Sequence, residues 1–170
     1  MHYKYCPECG EKLNGKPAGD EGLVPFCEKC GKFWFDTFAS CVIILVANEE
    51  NEIALLQQGY LSNEYRSFVS GYIKPGDNAE DTARREVQEE IGLELERLDY
   101  AGTYWFAMRE QLMHGFIGYA KKKELVLSQE VDRAEWVPYD KAPMLMFPDM
   151  PGNAMHPIYR QYLKSIGKQL

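Results

Sequence analysis

Long apolar runs are missing from this chain. The longest, Cys41 to Ala47, is strand-sized and falls well short of the roughly 20 residues that span a bilayer. Met1 to Cys9 carries His2, Lys4 and Glu8 and has no apolar core of a secretory leader. A cytoplasmic protein is therefore the expectation. Positive charge is scarce too: 19 Lys and Arg stand against 26 Asp and Glu, a formal net charge of −7. With no basic stripe, the chain argues against nucleic-acid partners held through their phosphates. Any phosphate-bearing ligand must then meet positive charge supplied locally. Internal repeats, low-complexity tracts and a helix-turn-helix segment are also absent. Hydrophobic residues at 45% and charged residues at 26% still allow a sizeable core. A length of 170 residues suits one globular domain with a small appendage.

What is present begins with cysteine. Cys6-Pro7-Glu8-Cys9-Gly10 and Cys27-Glu28-Lys29-Cys30-Gly31 are two C-x2-C knuckles, each closed by glycine. Two such pairs at this separation read as a four-thiolate, tetrahedral zinc site, closed and hence structural. A disulfide pair is the alternative, disfavoured by the inferred compartment. A segment this small cannot build a core by itself and needs a staple. Residues 1–34 are assigned to this zinc ribbon and 35–170 to the main domain. Its lysines are matched by acids, so a nucleic-acid role for the ribbon has little support. Cys41 lies in an apolar run and reads as a core thiol.

Arg85-Glu86-Val87-Gln88-Glu89-Glu90 crowds three carboxylates at i, i+3 and i+4, which share a helix face. Like charges so placed call for an offsetting cation, and hard divalent ions take carboxylate oxygens. Asn78 is a fitting N-cap, and Glu80 and Asp81 suit the positive end of the helix dipole. Ala79, Ala83, Val87 and Ile91 recur every four residues as the buried stripe, with the glutamates expected on the face away from the core. Gly92 stands where a left-handed C′ glycine belongs. Before this helix, Ser70 to Asp77 holds two glycines and a proline and reads as a loop. The plainer alternative, a merely solvated charged face, leaves those glycines and Arg85 unexplained.

From Gly71 to Leu93 the sequence resembles the signature of the Nudix hydrolases, G-x5-E-x7-R-E-U-x-E-E-x-G-U with U aliphatic. Gly71, Arg85, Glu86, Val87, Glu89, Glu90, Gly92 and Leu93 match in register, and Asp77 replaces a glutamate. The resemblance implies an α/β fold, the Nudix α/β/α sandwich with a mixed β-sheet. It also implies a pyrophosphohydrolase using Mg2+ or Mn2+. Glu86 and Glu90 would be the main magnesium ligands, joined by Glu89 and the carbonyl of Gly71, with Arg85 orienting Glu86. A further carboxylate is expected outside this segment, and Glu130 aligns best. Its alternative reading is a solvent-exposed loop acid.

A zinc ribbon before such a domain is similar to the NADH pyrophosphatase branch of the family. That branch carries S-Q-P-W-P-F where this chain has Thr103-Tyr104-Trp105-Phe106-Ala107-Met108. Tyr72, Tyr104, Trp105 and Phe106 are therefore the candidate stacking residues for a substrate base, with a core role equally open to Trp105 and Phe106. Expected partners are nucleotide diphosphate small molecules such as NAD(H) or ADP-ribose, no membrane, and a homodimer by likeness to relatives. Two other classes compete: a non-catalytic nucleotide-sensing module, and a zinc-ribbon protein acting on capped RNA ends. Retention of all three glutamates favours the enzyme.

Elsewhere the pattern predicts strands at Phe38 to Ala47, Ile53 to Gln57, Arg66 to Val69, Glu94 to Phe106, Leu112 to Ala120 and Ala134 to Val137. A closing amphipathic helix is expected over Asn153 to Lys168, burying Ile158, Tyr162, Leu163 and Ile166.

Overall fold

The computed structural model describes residues 3–168. The chain forms two compact units, Met1–Phe38 and Ala39–Leu170.

In the first unit, strands β1 (Asn14–Pro17), β2 (Leu23–Cys27) and β3 (Lys32–Phe33) make an antiparallel sheet in the order β1-β2-β3. Little apolar area holds it. Phe26 packs on Phe33 with centroids 4.8 Å apart, and Lys16 caps the Phe26 ring at 3.7 Å. The two knuckles are tight turns closed by Gly10 and Gly31, whose amides donate to the carbonyls of Cys6 and Cys27 at 2.9 and 2.8 Å. Both glycines have left-handed φ, +73° and +67°, a conformation that Cβ penalises in other residues.

The second unit contains β4 (Ala39–Ala47), β5 (Glu52–Gln57), β6 (Val69–Tyr72), α1 (Ala79–Ile91), β7 (Arg97–Phe106), β8 (Gln111–Tyr119), β9 (Arg133–Pro138) and α2 (Met155–Ser165). The sheet runs β7-β8-β4-β5-β9, and β6 also pairs with β4. It is mixed: β4 lies parallel to β8 but antiparallel to β5 and β6. β4 is central, and its side chains are buried from Cys41 to Ala47, as a strand covered on both faces requires. Alternate residues feed two cores. Ile43, Leu45 and Ala47 pack with Ile158, Tyr159 and Tyr162 of α2, while Val42, Ile44 and Val46 pack with Ala83, Val87 and Ile91 of α1. The result is an α/β/α sandwich. Among the described residues, no helix is long and apolar enough to cross a membrane.

Two expectations shift. The strand before α1 is not Arg66 to Val69 but Val69–Tyr72, because Cys41 to Ile44 of β4 pairs with residues 69–72. Arg66 and Ser67 make only isolated bridges, to Met146 and Leu56. The closing helix is also shorter than its pattern, ending at Ser165, although Ile158, Tyr162 and Leu163 are buried as the period requires.

Candidate active site

The helix α1 carries the cluster. Asn78 Oδ1 accepts from the Asp81 amide at 2.7 Å, and Gly92 closes the other end at φ +70°. Capped at both ends, the helix fixes the glutamates in rotation as well as position. Its acidic face does not all point to water. Glu89 is exposed, but the Glu86 side chain is only 13% exposed and Glu90 only 5%. The expectation that these acids face away from the core is corrected for Glu86 and Glu90. The reason is that β6 lies across the helix, and Gly71 at its heart admits the Glu86 carboxyl. A Cβ at Gly71 would stand 2.0 Å from Glu86 Cδ.

Arg85 ties the acids together. Its guanidinium lies 2.8 Å from Glu86 Oε1 and 2.9 Å from Glu89 Oε2. It also forms a longer pair with Asp77 at 3.9 Å, so the shortened acid still faces the same cation. Burial pushes the Glu86 carboxyl above its ordinary range against the pull of Arg85. Glu90 is pushed up to about 8, first by burial and then by the charges of Glu86 and Glu130. Its Oε2 is buried without a hydrogen-bond partner among the described residues. A buried, orphaned carboxylate oxygen beside two other acids is the environment a hard divalent cation relieves. The donor set fits such an ion.

These groups open into one cleft of about 620 Å³ in the second unit. Glu130 lines it, so the acid outside the helix and the helix glutamates are brought together. Tyr72 lines it as well. Tyr104, Trp105 and Phe106 do not. Tyr104 and Trp105 border a separate depression of about 500 Å³ beside the Arg160–Asp149 ion pair. Tyr104 packs against the core on the α2 side and accepts from Gln161 Nε2 at 3.2 Å. Phe106 ends β7, half-buried opposite Gln111. The hairpin carries the chain onward before it meets the cleft, so Arg109, Gln111 and Met113 enter in place of the aromatic stretch. Sequence reading missed Tyr60, Lys74, Arg109 and Gln111. Tyr60, Arg109 and Gln111 have no fixed spacing to the glutamates, and only the tertiary structure brings them to the cleft, whereas Lys74 lies within the Gly71–Leu93 stretch itself. Cys41, read as a core thiol, is buried yet forms part of the cleft wall.

In the first unit, the sulfurs of Cys6, Cys9, Cys27 and Cys30 all lie within 4.8 Å of one another. Cys6 and Cys30 are 3.9 Å apart, and Cys9 and Cys27 are 3.6 Å apart. Zinc–thiolate bonds of about 2.3 Å set tetrahedral sulfur–sulfur edges of roughly 3.8 Å. The Cys30 amide donates to Cys27 Sγ at 3.3 Å, as knuckle turns arrange. All four thiols are free, and the cluster fits a zinc ribbon.

Fold, box and cleft define a Nudix protein: residues 37–160 match the NUDIX domain, and the chain belongs to that family. Among its relatives, the NAD-capped RNA hydrolase NudC of Pseudomonas aeruginosa (strain LESB58) is 28% identical over 145 residues, covering 85% of this chain and 51% of that protein. NudC of Escherichia coli O1:K1 / APEC is 27% identical over 144 residues, covering 84% and 54%. The chain thus spans about half the length of these relatives. A NUDIX hydrolase from Nitrosomonas europaea superposes with a TM-score of 0.71 at 16% identity, covering 98% of this chain and 94% of that one. The NUDIX domain of Shewanella oneidensis NrtR, solved with ADP ribose, gives a TM-score of 0.63 at 12% identity, covering 82% and 94%. At such identity these structures speak for the fold alone.

Proposed function

We propose that residues 35–170 hydrolyse the diphosphate linkage of nucleoside diphosphate derivatives such as NAD(H) or ADP-ribose, with magnesium or manganese as cofactor. The convergence of Glu86, Glu90 and Glu130 on one cleft, with a buried carboxylate oxygen left unpartnered, carries this reading. Glu86 and Glu90 would hold the metal, aided by Glu89, Glu130 and the Gly71 carbonyl. When bound there, the ion would neutralise the phosphoryl oxygens and make a bound water acidic. Arg85 holds Glu86 in place by its charged hydrogen bond. Lys74 and Arg109 also line the cleft and have no ion-pair partner among the described residues. They supply the positive charge that a net-acidic protein must present to a phosphate. The reaction adds water: its oxygen bonds one phosphorus, the bridging oxygen leaves with the other, and two phosphomonoesters result. Residues 1–34 are the structural zinc ribbon.

A second reading shares this chemistry. The relatives named as NAD-capped RNA hydrolases favour a substrate whose diphosphate sits at an RNA end. Both are tested by one panel of NADH, ADP-ribose, diadenosine polyphosphates, oxidised dNTPs and an NAD-capped RNA, assayed with magnesium or manganese and product identification. Cleavage within the diphosphate, abolished by chelation, is expected. Turnover of no diphosphate under any metal would reject the proposal in favour of a sensing module.

A further inference from the structure

Gln58 follows β5 and is only 2% exposed. Its backbone is held firmly, with the carbonyl accepting from the amides of Leu61 and Ser62 at 2.8 and 3.1 Å. That turn carries Tyr60 and Leu61 into the cleft wall, while Gln58 itself stays behind the wall. A buried carboxamide must place two donor hydrogens and one acceptor oxygen. The oxygen is accounted for. Ser67, also buried, donates from Oγ to Gln58 Oε1 at 3.3 Å. A bridge to Leu56 brings Ser67 there, with reciprocal backbone hydrogen bonds of 2.8 and 2.9 Å. The nitrogen is not accounted for: Gln58 Nε2 is buried without a hydrogen-bond partner among the described residues.

The group beside that carboxamide is Glu90. Burial and the charges of Glu86 and Glu130 push the Glu90 carboxyl up to about 8, whereas the Ser70 amide and the Gln58 side chain pull it down. Glu90 Oε2 is itself a buried acceptor without a partner among the described residues. A donor and an acceptor of opposite need thus neighbour each other behind the cleft. Orphans of this kind are rare in folded proteins and costly when left unmade. Charge decides which way the amide turns. Reversed, it would set Oε1 against the ionised Glu90, oxygen facing oxygen. With Ser67 donating to Oε1, the NH2 group faces the carboxylate.

We infer that Gln58 is a positioning residue of the metal site, its carboxamide turned by Ser67 so that Nε2 donates to the Glu90 carboxylate from the core side. An ionised carboxylate has about four acceptor sites, so a donor behind it and an ion in front do not compete. Carboxylates that ligate metals are themselves held by hydrogen bonds, and loss of such a bond costs roughly tenfold or more in metal affinity. The inference rests on the reading of Glu90 as a metal ligand and deepens it. Gln58 touches neither substrate nor ion and acts through Glu90.

Manganese binding to the full chain, supplied with zinc and read by electron paramagnetic resonance, tests this without turnover. Gln58→Met keeps the volume and removes the donor, and should weaken manganese about tenfold. Ser67→Ala leaves the donor in place but frees the amide to turn, and should weaken it severalfold. In a Glu90→Gln background, Gln58→Met should cause no further loss, because its effect passes through Glu90. A merely structural role would lower the melting temperature in both backgrounds and leave manganese affinity at the parent value. Parent-like affinity in Gln58→Met, or an equal loss in both backgrounds, overturns the inference. Should Gln58→Met fail to fold, parent-like affinity in Ser67→Ala decides against it. If Glu90→Gln loses manganese while Gln58→Met does not, the ligand assignment stands and the role of Gln58 falls. If the parent binds no manganese, or Glu90→Gln binds it as the parent does, both fall.

Discussion

Glu90 shows how a single side chain is shaped by burial. The same carboxyl on an open helix face would titrate at about 4.3. Between helix and strand, with Glu86 and Glu130 near, it holds its proton to about 8. The folded state therefore binds this proton more tightly than the unfolded chain. The stabilisation is complete below about pH 4 and is lost as the pH rises through about 8. Metal-free protein should thus lose melting temperature between about pH 5 and 8 relative to Glu90→Gln, and saturating magnesium should restore it by binding the ionised form. Parallel melting curves for the two proteins across that range would contradict the assignment. Glu90→Gln should also lower kcat by about a hundredfold or more, the scale of a lost transition-state contact, with unchanged circular dichroism. A loss under about tenfold would remove Glu90 from the metal site.

At the level of elements, α1 is the part on which the site depends. Its two caps are of different kinds and should fail differently. Asn78→Ala removes one capping hydrogen bond and should cost about 1 kcal/mol in urea unfolding. Gly92→Ala should cost more. The residue sits at φ +70°, and an added Cβ would lie 2.7 Å from Val126 Cβ, so strain and a clash combine. Equal losses for the two variants would mean that the helix end is not held as described. Much of α1 was legible in sequence, since caps and a four-residue stripe are local features. The strand β6 was not. Residues 66–69 and 69–72 have similar strand character, and only the pairing of Gly71 with Val42 selects the latter.

For the whole molecule, two units solve the stability problem in different ways. The second has two apolar clusters on either side of a sheet, while the first has a few aromatic contacts and four converging thiols. Native protein should carry about one zinc per chain, and chelation should unfold the first unit, because a metal bound there would supply its folding energy. Thiol titration reads this directly. Four thiols should become reactive after chelation, while Cys41, 4% exposed, stays protected until the second unit unfolds. Absence of zinc from native protein, or thiols equally reactive before and after chelation, would contradict this.

The sequence alone determined whatever depends on short spacing. The knuckles, the helix caps and the run from Arg85 to Glu90 act over one or two turns of chain, where residue type and interval fix geometry. The tertiary structure decided which face of α1 is wet, because that depends on β6 crossing it at a glycine. It also decided that Tyr104 and Trp105 border one depression while Tyr60, Arg109 and Gln111 reach another. Gln111 lies 39 positions from Tyr72, to whose hydroxyl its Nε2 donates. Nothing in the interval between them encodes the contact. It arises from β4, which pairs with β8 on one side and β6 on the other, and so brings the two residues to one edge of the cleft.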